Sequence, residues 1–258
     1  MRDPHVVALF YRLIEGQQIT FDSPPPIEDA TDEFRVRLAD NEVTVEFLSH
    51  YSDVPSARRT AEGYLEAWEI KAQLEAGHPV MQFEFVRPEV IDRNPPLPGE
   101  PQTLSVGPAE LVLVANDVSF HITQREYPAP PRYFAVSLDL ETMWLRYRGY
   151  CQGRERLADM AYACLTVLER STNGRAQAAK RYAISSGIFG TLARLCTEIG
   201  DEQTARKFSR LKERRAHTDV EVRWLEEAVK VMIKRLGEWN ADPAGQLPQI
   251  TMSSLPAL

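Results

Sequence analysis

Apolar and polar residues alternate between Phe34 and Leu38: Phe34, Val36 and Leu38 fall on one side of an extended chain, Arg35 and Arg37 on the other. The alternation resumes after Asp40-Asn41 at Val43, Val45 and Phe47, which predicts a β-hairpin with its register set by a two-residue turn. A second hairpin is predicted from Leu111-Val112-Leu113-Val114 to Val118, Phe120 and Ile122 through Asn116-Asp117. Residues 7–14 and 80–86 predict further strands. Between them the period lengthens. Ala57, Ala61, Tyr64, Leu65, Trp68 and Ala72 recur at helical spacing, so a helix is predicted over 54–76. Asp53 is its expected cap, Pro55 suits its first turn, and Gly77 with Pro79 ends it. Residues 22–32 and 93–108, rich in prolines and acids, read as loops.

Proline divides the chain. Fifteen of the 18 prolines lie between Pro4 and Pro131, and none lies between Arg132 and Asp242. Proline interrupts helix interiors and sheet ladders, so the later stretch is free to be helical. Five or six helices are predicted there. Residues 154–170 are apolar on nearly all sides and read as a central, buried helix. Residues 175–183 and 187–199 form the next pair, and another helix runs from Asp201 or Glu202 to about Arg215. Thr218 and Glu221 form a capping box for the last, with Trp224, Leu225, Ala228, Val229, Met232 and Leu236 on its apolar stripe and Gly237 near its end. The expected class is α+β: a sheet-and-helix module over 1–131, a helical module over 132–240 and an extended tail over 241–258.

Composition changes this picture little. The 258 residues suffice for a hydrophobic core, and 43% apolar with 26% charged residues excludes disorder as the main state. No apolar run approaches the ~20 residues that cross a bilayer, and no secretory signal is visible. Cys151, Cys164 and Cys196 are odd in number and widely spaced, which fits a reducing cytoplasm rather than a disulfide framework or zinc site. His5, His50, His78, His121 and His217 lack metal-ligand spacing, and neither a phosphate-cradling glycine loop nor a Gly-x-Ser-x-Gly elbow is present. No cofactor or metal is expected. His50-Tyr51, between a strand and a capped helix, is a candidate pocket edge.

Charge is more informative. Residues 174–217 hold ten basic residues (Arg175, Lys180, Arg181, Arg194, Arg206, Lys207, Arg210, Lys212, Arg214 and Arg215) against four acids, Glu198, Asp201, Glu202 and Glu213. That segment is +6 in a chain of −7. Such a patch suits a nucleic-acid backbone or an acidic protein surface; equally, the acidic half of the chain could pair with it inside the monomer or across a dimer. Within it, Ala179, Ala183, Ile184, Phe189 and Leu192 resemble the spacing of a helix-turn-helix, with Ala183 where that family usually has glycine. The outward residues of the second helix would be Ser185, Ser186, Gly187, Gly190, Thr191 and Arg194. Only Arg194 is long enough to reach base edges, while Lys180 and Arg181 suit phosphates, so low sequence specificity is expected. Gly187 and Gly190 would alternatively suit close helix packing. Arg210 with His217 seven positions on resembles the signature of HEPN-type ribonucleases, helical bundles that usually act as dimers, although Leu211 replaces that family's polar residue. The resemblance implies scissile-phosphate binding by Arg210 and proton transfer by His217 without a metal.

The expectation is a cytoplasmic, non-enzymatic regulatory or interaction protein with no membrane contact. Its basic helical module would meet nucleic acid through Arg175, Lys180, Arg181, Arg194, Arg206, Lys207, Arg210 and Arg214, or else an acidic protein surface. The alternatives are a metal-independent ribonuclease using Arg210 and His217, and a structural subunit of a larger, possibly homo-oligomeric, assembly.

Overall fold

The computed structural model describes residues 3–94, 122–201 and 211–258. The predicted 111–122 hairpin, apart from Ile122, and much of the predicted helix after Asp201 lie outside them. The chain forms two compact units, Met1–Arg132 and Tyr133–Leu258. The class is α+β, with an antiparallel sheet and one helix followed by a helical bundle.

The first unit holds strands β1 (Pro4–Glu15), β2 (Ile19–Phe21), β3 (Ile27–Ala30), β4 (Phe34–Ala39), β5 (Glu42–Phe47), β6 (Met81–Asp92) and β7 (Ile122–Gln124), with helix α1 (Val54–Ala76). The main sheet runs β3-β4-β5-β1-β6, and every neighbouring pair is antiparallel. The turn between β4 and β5 places Asp40 and Asn41 at φ 51° and 61°, the positive dihedrals that a tight hairpin requires and that Asn and Asp tolerate best. Phe34, Val36, Leu38, Val43, Val45 and Phe47 are consequently buried together, while Arg35 and Arg37 are exposed.

Helix α1 packs Ala57, Ala61, Leu65, Trp68 and Ala72 into the same core, its small residues letting it lie close to the strands. Asp53 accepts a hydrogen bond from the Ser56 amide at 2.8 Å, and Gly77 closes the helix at φ 79°. Trp68 is the largest side chain of this core. Its indole N–H donates to the Pro128 carbonyl at 2.9 Å, and its ring lies 5.4 Å from that of Phe83.

One segment expected as a loop contains strand, and one predicted strand runs further than expected. β3 lies within 22–32, and β6 continues past Val86 through Pro88 to Asp92, pairing Pro88 with Leu9. β3 and β6 end the sheet order, and an end strand tolerates proline and acids because one side of its backbone need not pair within the sheet. Ile122, assigned to an antiparallel hairpin from the sequence, instead opens β7, which runs parallel to β2.

The second unit comprises α2 (Leu138–Cys151), α3 (Leu157–Thr172), α4 (Arg175–Arg181), α5 (Ser186–Glu198) and α6 (Asp219–Ala241). Helix α3 packs against the other four, which explains its apolar surround: Ala158, Met160, Ala161, Cys164, Leu165 and Leu168 are all buried. Helix α2 is absent from the sequence reading. Leu140, Met143, Trp144 and Tyr147 bear its buried stripe, but exposed Leu138 and Leu145 blur the pattern. Residues 211–216 are not helical; Glu213 instead forms a bridge with Ile199, which corrects the end of the expected 201–215 helix.

Thr218 and Glu221 form both halves of the capping box on α6. That helix runs past Gly237 to Ala241, and at Gly237 the missing side chain admits the Phe134 ring, into which a Cβ there would project. The tail beyond α6 is tied down. The Ser185 amide donates to the Ile250 carbonyl at 2.8 Å, the Ile250 amide donates to the Ala183 carbonyl at 2.8 Å, and Leu255 is buried.

Candidate nucleic-acid interface

Helices α4 and α5 are joined by the four residues from Tyr182 to Ser185. Ala183 takes φ 48°, the left-handed conformation that makes glycine usual at such a bend. A Cβ in that region costs roughly 1–2 kcal/mol. Ala183→Gly is therefore expected to raise stability by about 0.5–1 kcal/mol, after the extra freedom glycine gives the unfolded chain is subtracted; a lower midpoint in urea would contradict it. Behind the turn, Ala178, Ile184, Ile188, Phe189 and Leu192 are buried, with Ala179 half-buried beside them. On the outer side of α5, Ser186, Gly187, Gly190 and Arg194 are exposed. A Cβ on Gly190 would meet nothing within 4 Å, so this glycine is not held for close helix packing.

The basic residues fall into different environments. Arg175 Nε donates to Glu169 Oε1 at 2.6 Å, and Lys212 Nζ donates to Glu198 Oε1 at 2.8 Å. Arg215 grips Glu221 with two nitrogens, at 2.7 and 2.8 Å, and also reaches Glu213 at 2.9 Å. That grip, joined by the Thr218 amide, holds the Glu221 carboxyl down at about 2. Arg214 is exposed. Arg206, Lys207 and Arg210 lie outside the described residues. Lys180, Arg181 and Arg194 are exposed and have no carboxylate partner among the described residues.

Lys180 and Arg181, in the last turn of α4, share a groove of about 640 Å³ with Thr172, Asn173, Gln177, Trp239 and Pro243. One guanidinium nitrogen of Arg181 donates to the Ser171 carbonyl at 2.8 Å, which anchors that group, and its guanidinium carbon lies 5.6 Å from the centre of the Trp239 ring. Tyr182 meets Trp239 edge-on, at 5.5 Å and 85°. The sequence reading did not single out Trp239, although the helical module was expected to run to 240. The available signal was its position seven residues after Met232, in phase with the apolar stripe.

The other candidates have local structural partners. His217 Nε2 donates to the Leu195 carbonyl at 3.0 Å, securing the chain before α6 against α5. His50 faces His5 across 3.2 Å between their Nδ1 atoms, with the rings stacked 5.2 Å apart. Burial, with Arg93 and His50 nearby, lowers the pKa of His5. Tyr51 bonds Glu33 and Thr60 at the side of the same core. Among the described residues no cluster of three His, Cys, Asp or Glu side chains could hold a metal ion, and no helix is long and apolar enough to cross a membrane.

Charge separates the two units. Met1–Arg132 carries 11 basic against 22 acidic residues, and Tyr133–Leu258 carries 19 against 15. The helical unit therefore carries a formal net charge of +4 and the sheet unit −11. No protein-family model, curated protein or solved structure matches this chain at a significant level, so the groove at Lys180, Arg181 and Trp239 is read from its own geometry.

Proposed function

We propose that this chain is a non-enzymatic interaction protein of the cytoplasm whose C-terminal helical unit contacts nucleic-acid backbone with low sequence specificity. The observation that carries the reading is Lys180 beside Arg181, both exposed, neither neutralised by a carboxylate among the described residues, on the net-positive unit of an acidic chain. Neighbouring cations at 175, 212 and 215 are already paired with acids, so these two stand ready for an external anion. Low specificity follows from the outer face of α5, where Ser186, Gly187 and Gly190 cannot read a base and Arg194 alone among these exposed residues is long enough to. Three free cysteines, two of them buried, fit a reducing compartment.

Gel retardation of a labelled mixed-sequence oligonucleotide tests this. Lys180→Glu together with Arg181→Glu is expected to weaken binding at least about tenfold, because each reversal replaces a phosphate attraction by a repulsion. Undiminished retardation by a variant with native circular dichroism would overturn the reading.

A further inference from the structure

The groove beside α4 indicates which form of nucleic acid the unit takes. A helix-turn-helix reads duplex DNA with the N-terminal residues of its second helix. Here the tail of the chain occupies that end of α5. Ile250 pairs with Ile184, the Ser185 amide is bonded to the Ile250 carbonyl, and the position of a Cβ on Gly187 lies 3.7 Å from Met252. A duplex major groove would have to displace these contacts.

The cations of α4 serve a different surface. Gln177, Lys180 and Arg181 project from one side of that helix into a recess with Trp239 on its wall. Its volume of about 640 Å³ is within the roughly 300–1,000 Å³ range of sites that enclose small ligand groups. Of the four tryptophans, Trp68, Trp144 and Trp224 are buried, whereas Trp239 is partly open. The Asn173 and Gln177 carboxamides bring donors and acceptors to the same recess.

We infer that this groove binds single-stranded nucleic acid, with the backbone phosphate at Lys180 and Arg181 and an unpaired base against Trp239. The inference rests on the nucleic-acid reading above and narrows it. Cations that track the backbone beside an aromatic ring are the chemistry of single-strand recognition. A paired duplex hides its base faces and cannot place one in a recess. Stacking on Trp239 also explains the indifference to sequence, since every base has a face to stack.

The test compares an oligothymidylate about 15 nucleotides long with a duplex of the same length and follows tryptophan emission. The single strand is expected to bind at least about tenfold more tightly than the duplex and to quench the emission, as one partly open indole among three buried ones reports the contact. Lys180→Glu should weaken single-strand binding about tenfold or more. Trp239→Phe, which keeps a smaller aromatic ring, should remove the quenching and weaken binding less than Trp239→Leu, which removes the stacking face. Equal or tighter duplex binding that is still lost in Lys180→Glu would overturn the single-strand inference and leave the broader reading standing. Failure of both oligonucleotides to bind the wild-type chain would overturn both.

Discussion

Arg235→Met is expected to destabilise the helical unit by about 3 kcal/mol, the cost of breaking a buried charged network from one side. Arg235 is only 4% exposed. Its Nε donates to Glu238 Oε2 at 2.9 Å, and one terminal nitrogen donates to the Tyr182 carbonyl at 3.1 Å and the Pro248 carbonyl at 2.8 Å. This one side chain therefore joins α6, the end of α4 and the tail. Methionine fills much of the space but donates nothing, so two carbonyls lose a donor and Glu238 loses its counter-charge. Glu238 keeps some solvent access, which places the cost near the lower end for a broken buried pair. A thermal melt should show the loss, and proteolysis after 242 should quicken as the tail releases. An unchanged melting temperature would show that the network contributes little.

In the sheet unit the corresponding residue is Trp68. Trp68→Ala is expected to cost about 3–5 kcal/mol, combining the lost transfer of a large apolar side chain with the cavity left behind. The indole is fully buried between the helix and the sheet, touches Tyr64 and Phe83, and donates to Pro128. Its hydrogen bond also fixes the proline-rich segment after β7 onto α1. Trp68→Phe keeps a ring in place and should cost clearly less. Urea midpoints of the two variants measure the difference; equal, small losses would mean that the core closes over the vacancy.

The elements that could be read from sequence are those whose local signals agree with their burial. The β4–β5 hairpin was legible because strict alternation flanks an Asp-Asn turn, and both turn residues take the dihedrals that such a turn needs. Helices α1 and α6 were legible because caps and stripes coincide. α2 was not, because Leu138 and Leu145 are exposed on an otherwise amphipathic helix. β3 was hidden by its acids, and the extension of β6 past Val86 by Pro88; end strands accept such residues and central strands do not.

The candidate site divides in the same way. Lys180 and Arg181 stand out in the sequence as adjacent cations. Their separation from Arg175, Lys212 and Arg215 is a matter of which carboxylates fold near them, and Glu169 and Glu221 lie six residues from their partners with no periodic signal to connect them. Trp239 joins the groove only because α6 continues past Gly237, a continuation allowed by the Phe134 ring that packs where a side chain would be. His217 illustrates the converse. A short motif drew attention to it, and the structure shows it bonded to the Leu195 carbonyl.

The most direct test of the account is the salt dependence of oligothymidylate affinity for the intact chain. If Lys180 and Arg181 meet two phosphates, the logarithm of affinity should fall linearly with the logarithm of salt concentration at a slope of about −1.4, and Lys180→Glu should flatten that slope by roughly 0.7. An affinity that does not change with salt, or a slope that the substitution leaves unaltered, would contradict it.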